Sequence, residues 1–298
     1  MEEKQMMTNE QLEAELQSLR SKATVAKILT YGSGAAAILC FITGLIPVAI
    51  VFIVLALVGG YQLEKNSSRL KKILSDNVIS SVLKEALGDA VEYNPWGTIN
   101  PGSMVFPFDY NCANGSDHIK AAYNGLNIEL GDIELIDETE DTDENGHTET
   151  RRDTVFKGQW LTCDFGKELA GEVYLSERPP KTRRKLKSNI TMDNEQFDKR
   201  FCVRADDPQE AYYLLTPHMM EYITAMADKS GGTVYLSFLR SGKLHVAVQT
   251  GRDFFELGKS NANVGELRQK FLGELRWFTD LVDTLRVEDI LYKKESNI

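Results

Sequence analysis

The stretch DTDENG, Asp141–Gly146, carries the side chains that most resemble a metal loop. Asp141, Asp143, Asn145 and Gly146 fall at the first, third, fifth and sixth positions of a calcium-binding loop. The twelfth position needs a bidentate glutamate, and Arg152 stands there. The eighth, usually apolar, is Thr148, and the flanks read as strands rather than helices. The pattern therefore reads as a solvated acidic loop between strands. His118, His147, His218 and His245 show no ligand spacing among themselves and no local Cys or Glu pattern of metal type. Each reads as a surface or satisfied structural residue, so no metal and no cofactor is expected.

A second cluster is cationic. In PPKTRRKLK, Lys181, Arg183, Arg184, Lys185 and Lys187 crowd one short loop. Near anionic headgroups each contributes about 1 kcal/mol of attraction. The same loop also reads as a flexible, exposed segment balanced by the acidic one. Nucleic acid is disfavoured, because the chain's net charge is -10 and no aromatic residues interleave the cations. There is no GxSxG, no P-loop and no dinucleotide fingerprint. Cys40, Cys112, Cys163 and Cys202 form no CxxC pair, which suits reduced thiols in a cytoplasm.

The elements that must carry these groups begin with an apolar run. Residues 28–63 contain no Asp, Glu, Lys or Arg. As one helix these 36 residues would extend about 54 Å, against a hydrocarbon core of about 30 Å. Two spans fit, reversing at Gly44-Leu45-Ile46-Pro47, where Gly allows unusual dihedrals and Pro suits a first helical turn. Arg20, Lys22 and Lys27 precede the run; Lys65, Arg69, Lys71 and Lys72 follow it. Basic flanks on both sides predict both termini in the cytoplasm. Gly32 with Ala36, Ser33 with Ala37, and Ala56 with Gly60 stand at a spacing of four. Such pairs allow helix backbones to approach, either between the two spans or between copies of the chain.

Thr8 and Gln11 have capping-box spacing, ahead of a stripe of Leu12, Leu16, Leu19 and Ala23. Residues 64–88 continue helically to Gly88, a plausible stop. Beyond residue 89 the pattern is of strands in groups with helices set apart. Asn124-Gly125 and Ser241-Gly242 mark hairpins. Pro208 and Pro217 punctuate a helical stretch, and Asn263 with Glu266 caps a last long helix. The expected fold is α+β. A transmembrane helical hairpin with long cytosolic arms precedes an antiparallel sheet with two or three helices. The segments are 1–27, 28–63, 64–88 and a domain over 89–298.

The segments GLNIELGDIEL, TVFKGQWLTCDF, FCVRADDPQEAYYLLTPHMM, VYLSFLRSGKLHVAV and DFFEL, in this order behind the hairpin, resemble a bacterial two-span membrane protein family. It is the domain of unknown function family 3137. The resemblance runs from the hairpin to the last helix. It implies a bacterial inner-membrane location and a membrane-protein partner of LemA-like type, and it implies no functional residues. The expected function is a membrane-tethered cytosolic interaction module that binds such a partner, its own copies or anionic lipid. The alternative is an enzyme at the cytoplasmic face, for which the sequence offers no catalytic motif.

Overall fold

The computed structural model describes residues 8–102, 107–142, 148–164, 169–178, 187–255 and 263–295. Helix α1 (Asn9–Ile42) starts where the Thr8 and Gln11 side chains cap each other's backbone N–H. The chain reverses over Thr43–Leu45, with Gly44 at φ +76°, and α2 (Ile46–Leu74) follows with Pro47 in its first turn. The two helices run antiparallel, tied by Arg69 to Glu15 at 2.7 Å.

Their contact follows a heptad. Along α1, Leu12, Leu16, Leu19, Ala26, Ser33 and Ala37 are buried, with Ala23 and Thr30 half-buried between them. The spacing alternates four and three, the seam of a left-handed helix pair. Along α2 the matching seam runs Ala49, Phe52, Ala56, Gly59, Leu63, Asn66 and Leu70. The helices approach closely at Gly59. A Cβ there would lie 2.7 Å from Thr30 Oγ1 and 3.0 Å from Thr30 N. Thr30 and Ser33 return their hydroxyls to the Ala26 and Leu29 carbonyls, so the seam leaves neither unsatisfied.

Outward from the seam the hairpin is apolar. Ile38, Phe41, Ile42 and Leu57 are each at least 65 % exposed. Both helices are long and apolar enough to cross a membrane.

After α2 comes a π-helical turn, Ser75–Ile79, before α3 (Ser80–Leu87). Ser80 donates its hydroxyl to the Ser75 carbonyl at 2.6 Å, and Asn77 Nδ2 donates to the Ile73 carbonyl at 2.9 Å. A wider turn rotates the buried face, which passes from Leu74 to Val78 and Ile79 and then to Val82 and Leu83. The helix stops at Gly88, φ +93°, whose N–H reaches the Lys84 carbonyl.

The chain divides into two compact units. The helical hairpin unit is Met1–Val82 with Lys259–Lys270, and the sheet unit is Leu83–Gly258 with Phe271–Ile298. The sheet unit contains one antiparallel sheet of eight strands in the order β1-β2-β3-β4-β8-β7-β5-β6. These are β1 (Glu92–Asn94), β2 (Cys112–Tyr123), β3 (Leu126–Thr142), β4 (Thr148–Asp164), β5 (Val173–Glu177), β6 (Phe201–Ala205), β7 (Thr233–Phe238) and β8 (Lys243–Gln249). The β2–β3 turn places Asn124 at φ +49° and Gly125 at φ +83°, the left-handed pair that a two-residue hairpin requires.

Helices α4 (Glu195–Arg200), α5 (Pro208–Leu214), α6 (Pro217–Lys229) and α7 (Val264–Glu295) complete the chain. The chain breaks before Pro217, where Thr216 caps α6. Asn263 and Glu266 cap α7 reciprocally. Trp277 Nε1–H on α7 reaches the Met226 carbonyl on α6 at 3.2 Å, and Asp283 accepts from Tyr123 at the β2 end at 3.1 Å. The α+β expectation therefore holds, with β1 and α4 as elements the sequence reading did not separate.

Alternation assigns two faces to the sheet. Ile128, Leu130, Leu161, Cys163, Val246 and Leu236 share one face and are all buried. On that face Asp132 is also buried. Its carboxylate accepts both from Phe254 N, at 2.8 Å, and from Gln159 Nε2, at 3.1 Å. Burial, then the nearby Asp117 charge, pushes its pKa up to about 8. The opposite face carries Ile133, Trp160, Ala247 and Tyr235, covered by Ile99 and Phe108. Phe108 stacks edge-on against Phe156 and Tyr235, with ring centroids 5.2 and 4.8 Å away.

Two predictions follow from these contacts. Gly59→Leu must force the helices apart at Thr30, an overpacking cost of about 1–3 kcal/mol. Gly32→Leu meets open space. Thermal unfolding of the full chain in detergent should show a lowered midpoint for the first and none for the second. The second prediction concerns Asp132, whose folded carboxyl keeps its proton where an unfolded Asp, near 3.8, has lost it. That stability is complete below about pH 3.8 and is lost as pH rises through about 8. Denaturation midpoints taken from pH 7 to pH 9 should fall, and Asp132→Asn should flatten the fall.

Candidate functional site

One polar row crosses the sheet. Register pairs Glu92 with Lys120, Lys120 with Glu129, Glu129 with Thr162, and Thr162 with His245. It continues through Ser237 and Tyr174 to Arg204. Directly paired residues share a face, so these side chains all stand on the side covered by Ile99 and Phe108. Residues 129, 162 and 245 are distant in sequence yet lie on three adjacent strands, each about 4.8 Å from the next.

The covering segment stops short of sealing the row. Gly102 N–H is held by Asn100 Oδ1 at 2.9 Å, and the Gly102 carbonyl accepts from Tyr110 at 2.6 Å. Between this loop and the sheet lies a cleft of about 390 Å³ lined by Asn100, Pro101, Gly102, Glu129, Thr162, Glu172, Leu239, Lys243 and His245.

His245 is the buried member, 7 % exposed. Its Nδ1 lies 3.1 Å from Trp160 Nε1. An indole nitrogen only donates, so Nδ1 accepts and the ring proton sits on Nε2. Burial, then the nearby Lys243 charge, lowers the imidazole pKa to about 4. The ring is therefore neutral near pH 7 and presents an N–H. Among the described residues, nothing hydrogen-bonds to Nε2.

The two carboxylates differ. Glu129 is taken on both oxygens, by His118 Nε2 at 3.0 Å and Lys120 Nζ at 3.8 Å. Glu172 accepts from the Tyr174 hydroxyl through Oε2. Burial first, then that bond, drives the Tyr174 pKa well upward, so it stays a donor.

The family signal lies over this sheet. Residues 154–287 match DUF3137, a protein family of unknown function. The DUF3137 match begins inside β4 and ends inside α7. It contains Thr162, Glu172, Leu239, Lys243 and His245, while Asn100–Gly102 and Glu129 precede it. The helical hairpin and β1–β3 also lie outside it, a narrower span than the hairpin-to-last-helix resemblance. No curated protein and no solved structure is significantly similar to the chain.

The residues singled out from the sequence lie elsewhere. Lys181, Arg183, Arg184 and Lys185 fall outside the described residues, and Lys187 is exposed. Residues 143–147, including His147, also fall outside; β3 ends at Thr142 and β4 begins at Thr148 around them. His118 joins Glu129, and His218 is exposed. His245 departs from the satisfied-structural reading, since only one of its nitrogens is engaged. Gly32 and Gly60 have open space where a Cβ would stand, so close helix contact falls on Gly59 instead. Ala36 and Ala56 are half-buried. The cysteines are free thiols, and burial raises the Cys163 pKa to about 12. Among the described residues no three His, Cys, Asp or Glu gather to hold a metal ion.

The pH consequence is opposite in sign to that of Asp132. The folded state refuses a proton that an unfolded histidine takes near 6.5. The His245 contribution is present above about pH 6.5 and lost as pH falls through about 4. Full protonation costs about 3 kcal/mol. In an Asp132→Asn background, which removes the opposing gain, stability measured from pH 7 down to pH 4 should drop, and adding His245→Gln, which still accepts from Trp160, should lessen the drop.

Proposed function

We propose that this protein is a membrane-anchored binding module. The hairpin is the anchor, and the cleft over the sheet is the recognition site. The carrying observation is His245. Its basic nitrogen is occupied by Trp160 and its other nitrogen offers an N–H to the cleft. A general base needs a free lone pair within reach of the proton it removes, and this ring offers a donor instead. That favours holding a ligand over transforming it.

The exposure of Ile38, Phe41 and Ile42 supports a hydrocarbon environment for the hairpin, because water would penalise so large an apolar surface. The membrane is the bacterial inner membrane in this reading. Lys27 before and Lys65 after the run support two cytoplasmic termini. The cleft holds a small ligand, and the module's partner in this reading is a membrane protein, LemA-like by family resemblance, another copy, or anionic lipid near Lys181–Lys187. An enzyme at the cytoplasmic face is the second reading, supported by the carboxylates and histidine sharing one cleft.

Wild type and His245→Phe, purified gently as full chains, should differ in bound small molecules by mass spectrometry. The wild type should retain a compound, chemically unchanged after incubation, that the variant lacks. Equal content in both would sink the cleft as recognition site, and conversion of the compound would favour the enzyme. Reporter fusions at residue 95 and at the C-terminus should both read cytoplasm; a periplasmic signal at either overturns the orientation.

A further inference from the structure

Lys243 and Glu172 line the same cleft, and they form no ion pair with each other. Among the described residues no hydrogen bond or ion pair engages Lys243 Nζ or Glu172 Oε1. Asp164, opposite Lys243 in register, accepts from Asn127 Nδ2 at 3.2 Å. Two opposite charges around one opening, each without an ion-pair partner among the described residues, are what a bridging ligand would satisfy. Beside Lys243 stand two further donors, His245 Nε2–H and the Thr162 hydroxyl. On the other side Glu172 keeps one oxygen available after Tyr174 has taken the other.

Resting on the cleft as recognition site, we infer that it takes a free α-amino acid. The ligand's carboxylate lies against Lys243 and His245, and its ammonium lies against Glu172. A planar carboxylate accepts two donors at once. Phosphate fits less well, because the cleft sets one cation and a neutral imidazole against two carboxylates, and a dianion would meet repulsion from Glu129 and Glu172. The lowered His245 pKa is consistent with this, since the ring contributes direction without charge. Leu239 and Pro101 supply an apolar wall, and about 390 Å³ leaves room for a side chain of leucine size.

Titration calorimetry on the full chain in detergent tests this with L-leucine, N-acetyl-L-leucine, L-leucinamide and inorganic phosphate. The acetyl compound lacks the ammonium, and the amide lacks the carboxylate. L-leucine should bind, and each truncated form should bind at least about tenfold more weakly. Lys243→Gln and Glu172→Gln, checked for unchanged unfolding midpoints, should each weaken L-leucine by a similar factor. Equal binding of N-acetyl-L-leucine, tighter binding of phosphate, or no binding of L-leucine overturns the inference. If L-leucine fails while wild type still retains a compound absent from His245→Phe, the ligand class falls and the recognition site stands. If wild type and His245→Phe also carry the same compounds, the site itself falls.

Discussion

Trp160 donates its indole N–H to His245 Nδ1 across the β4–β8 pair at 3.1 Å. The donor cannot become an acceptor, so the bond dictates which imidazole nitrogen carries the proton. It also gives His245 a reason to stay neutral, since protonating Nδ1 would set two donors against each other in a buried place. Trp160 is itself immobilised. It lies edge-on to Phe156, with centroids 5.5 Å apart, inside the cluster of Ile99, Ile133, Tyr235 and Ala247. Ile99 belongs to the same loop as Asn100, Pro101 and Gly102, which roof the cleft. One packed aromatic side chain therefore couples the sheet, its cover and the histidine's tautomer.

The two faces of the sheet divide the labour by period two. On one face the aliphatic positions of β3, β4, β7 and β8 are buried, and Asp132, buried like its neighbour Asp117, accepts from Phe254 and Gln159. On the other, a polar residue occupies the same row on every strand from Glu92 to Arg204. A row this polar cannot be sealed under an apolar cover without stranding its hydrogen-bonding groups. Ile99, Phe108 and Tyr110 accordingly cover the neighbouring rows, and the opening remains over Glu129, Thr162 and His245.

What was legible in the sequence was local. The capping pairs Thr8–Gln11 and Asn263–Glu266, the Asn124-Gly125 turn and the break at Pro217 each depend on neighbours within a few residues. The cleft was not legible, because it depends on the pairing of β3, β4 and β8. Their register brings together residues more than eighty positions apart, such as Thr162 and His245. His245 also sits between Leu244 and Val246, a strand context that reads as ordinary packing. The helix seam was partly legible. Spacing of four pointed to Gly32 and Gly60, which meet open space, and equally to Ser33 with Ala37, which are buried; extending the Leu12, Leu16, Leu19 alternation by heptads selects the second pair and adds Ala26. The stripe already visible outside the apolar run was the better guide to packing inside it.

That single seam changes composition along its length. On α1 leucines fill it at 12, 16 and 19 and small residues at 23, 26, 33 and 37, while α2 brings Gly59 against Thr30 and also sets Phe52 and Leu63 in the seam. In water, burying a leucine between helices is rewarded by about 1.5–3 kcal/mol. In hydrocarbon that reward vanishes, because lipid tails are as apolar as leucine, and association depends on close backbone packing. On α1 the change comes between Leu19 and Ala23, a turn ahead of Lys27, the last cation before the apolar run. One heptad thus carries bulk at its start on α1 and, at Gly59 against Thr30, a contact that only the absence of a side chain permits.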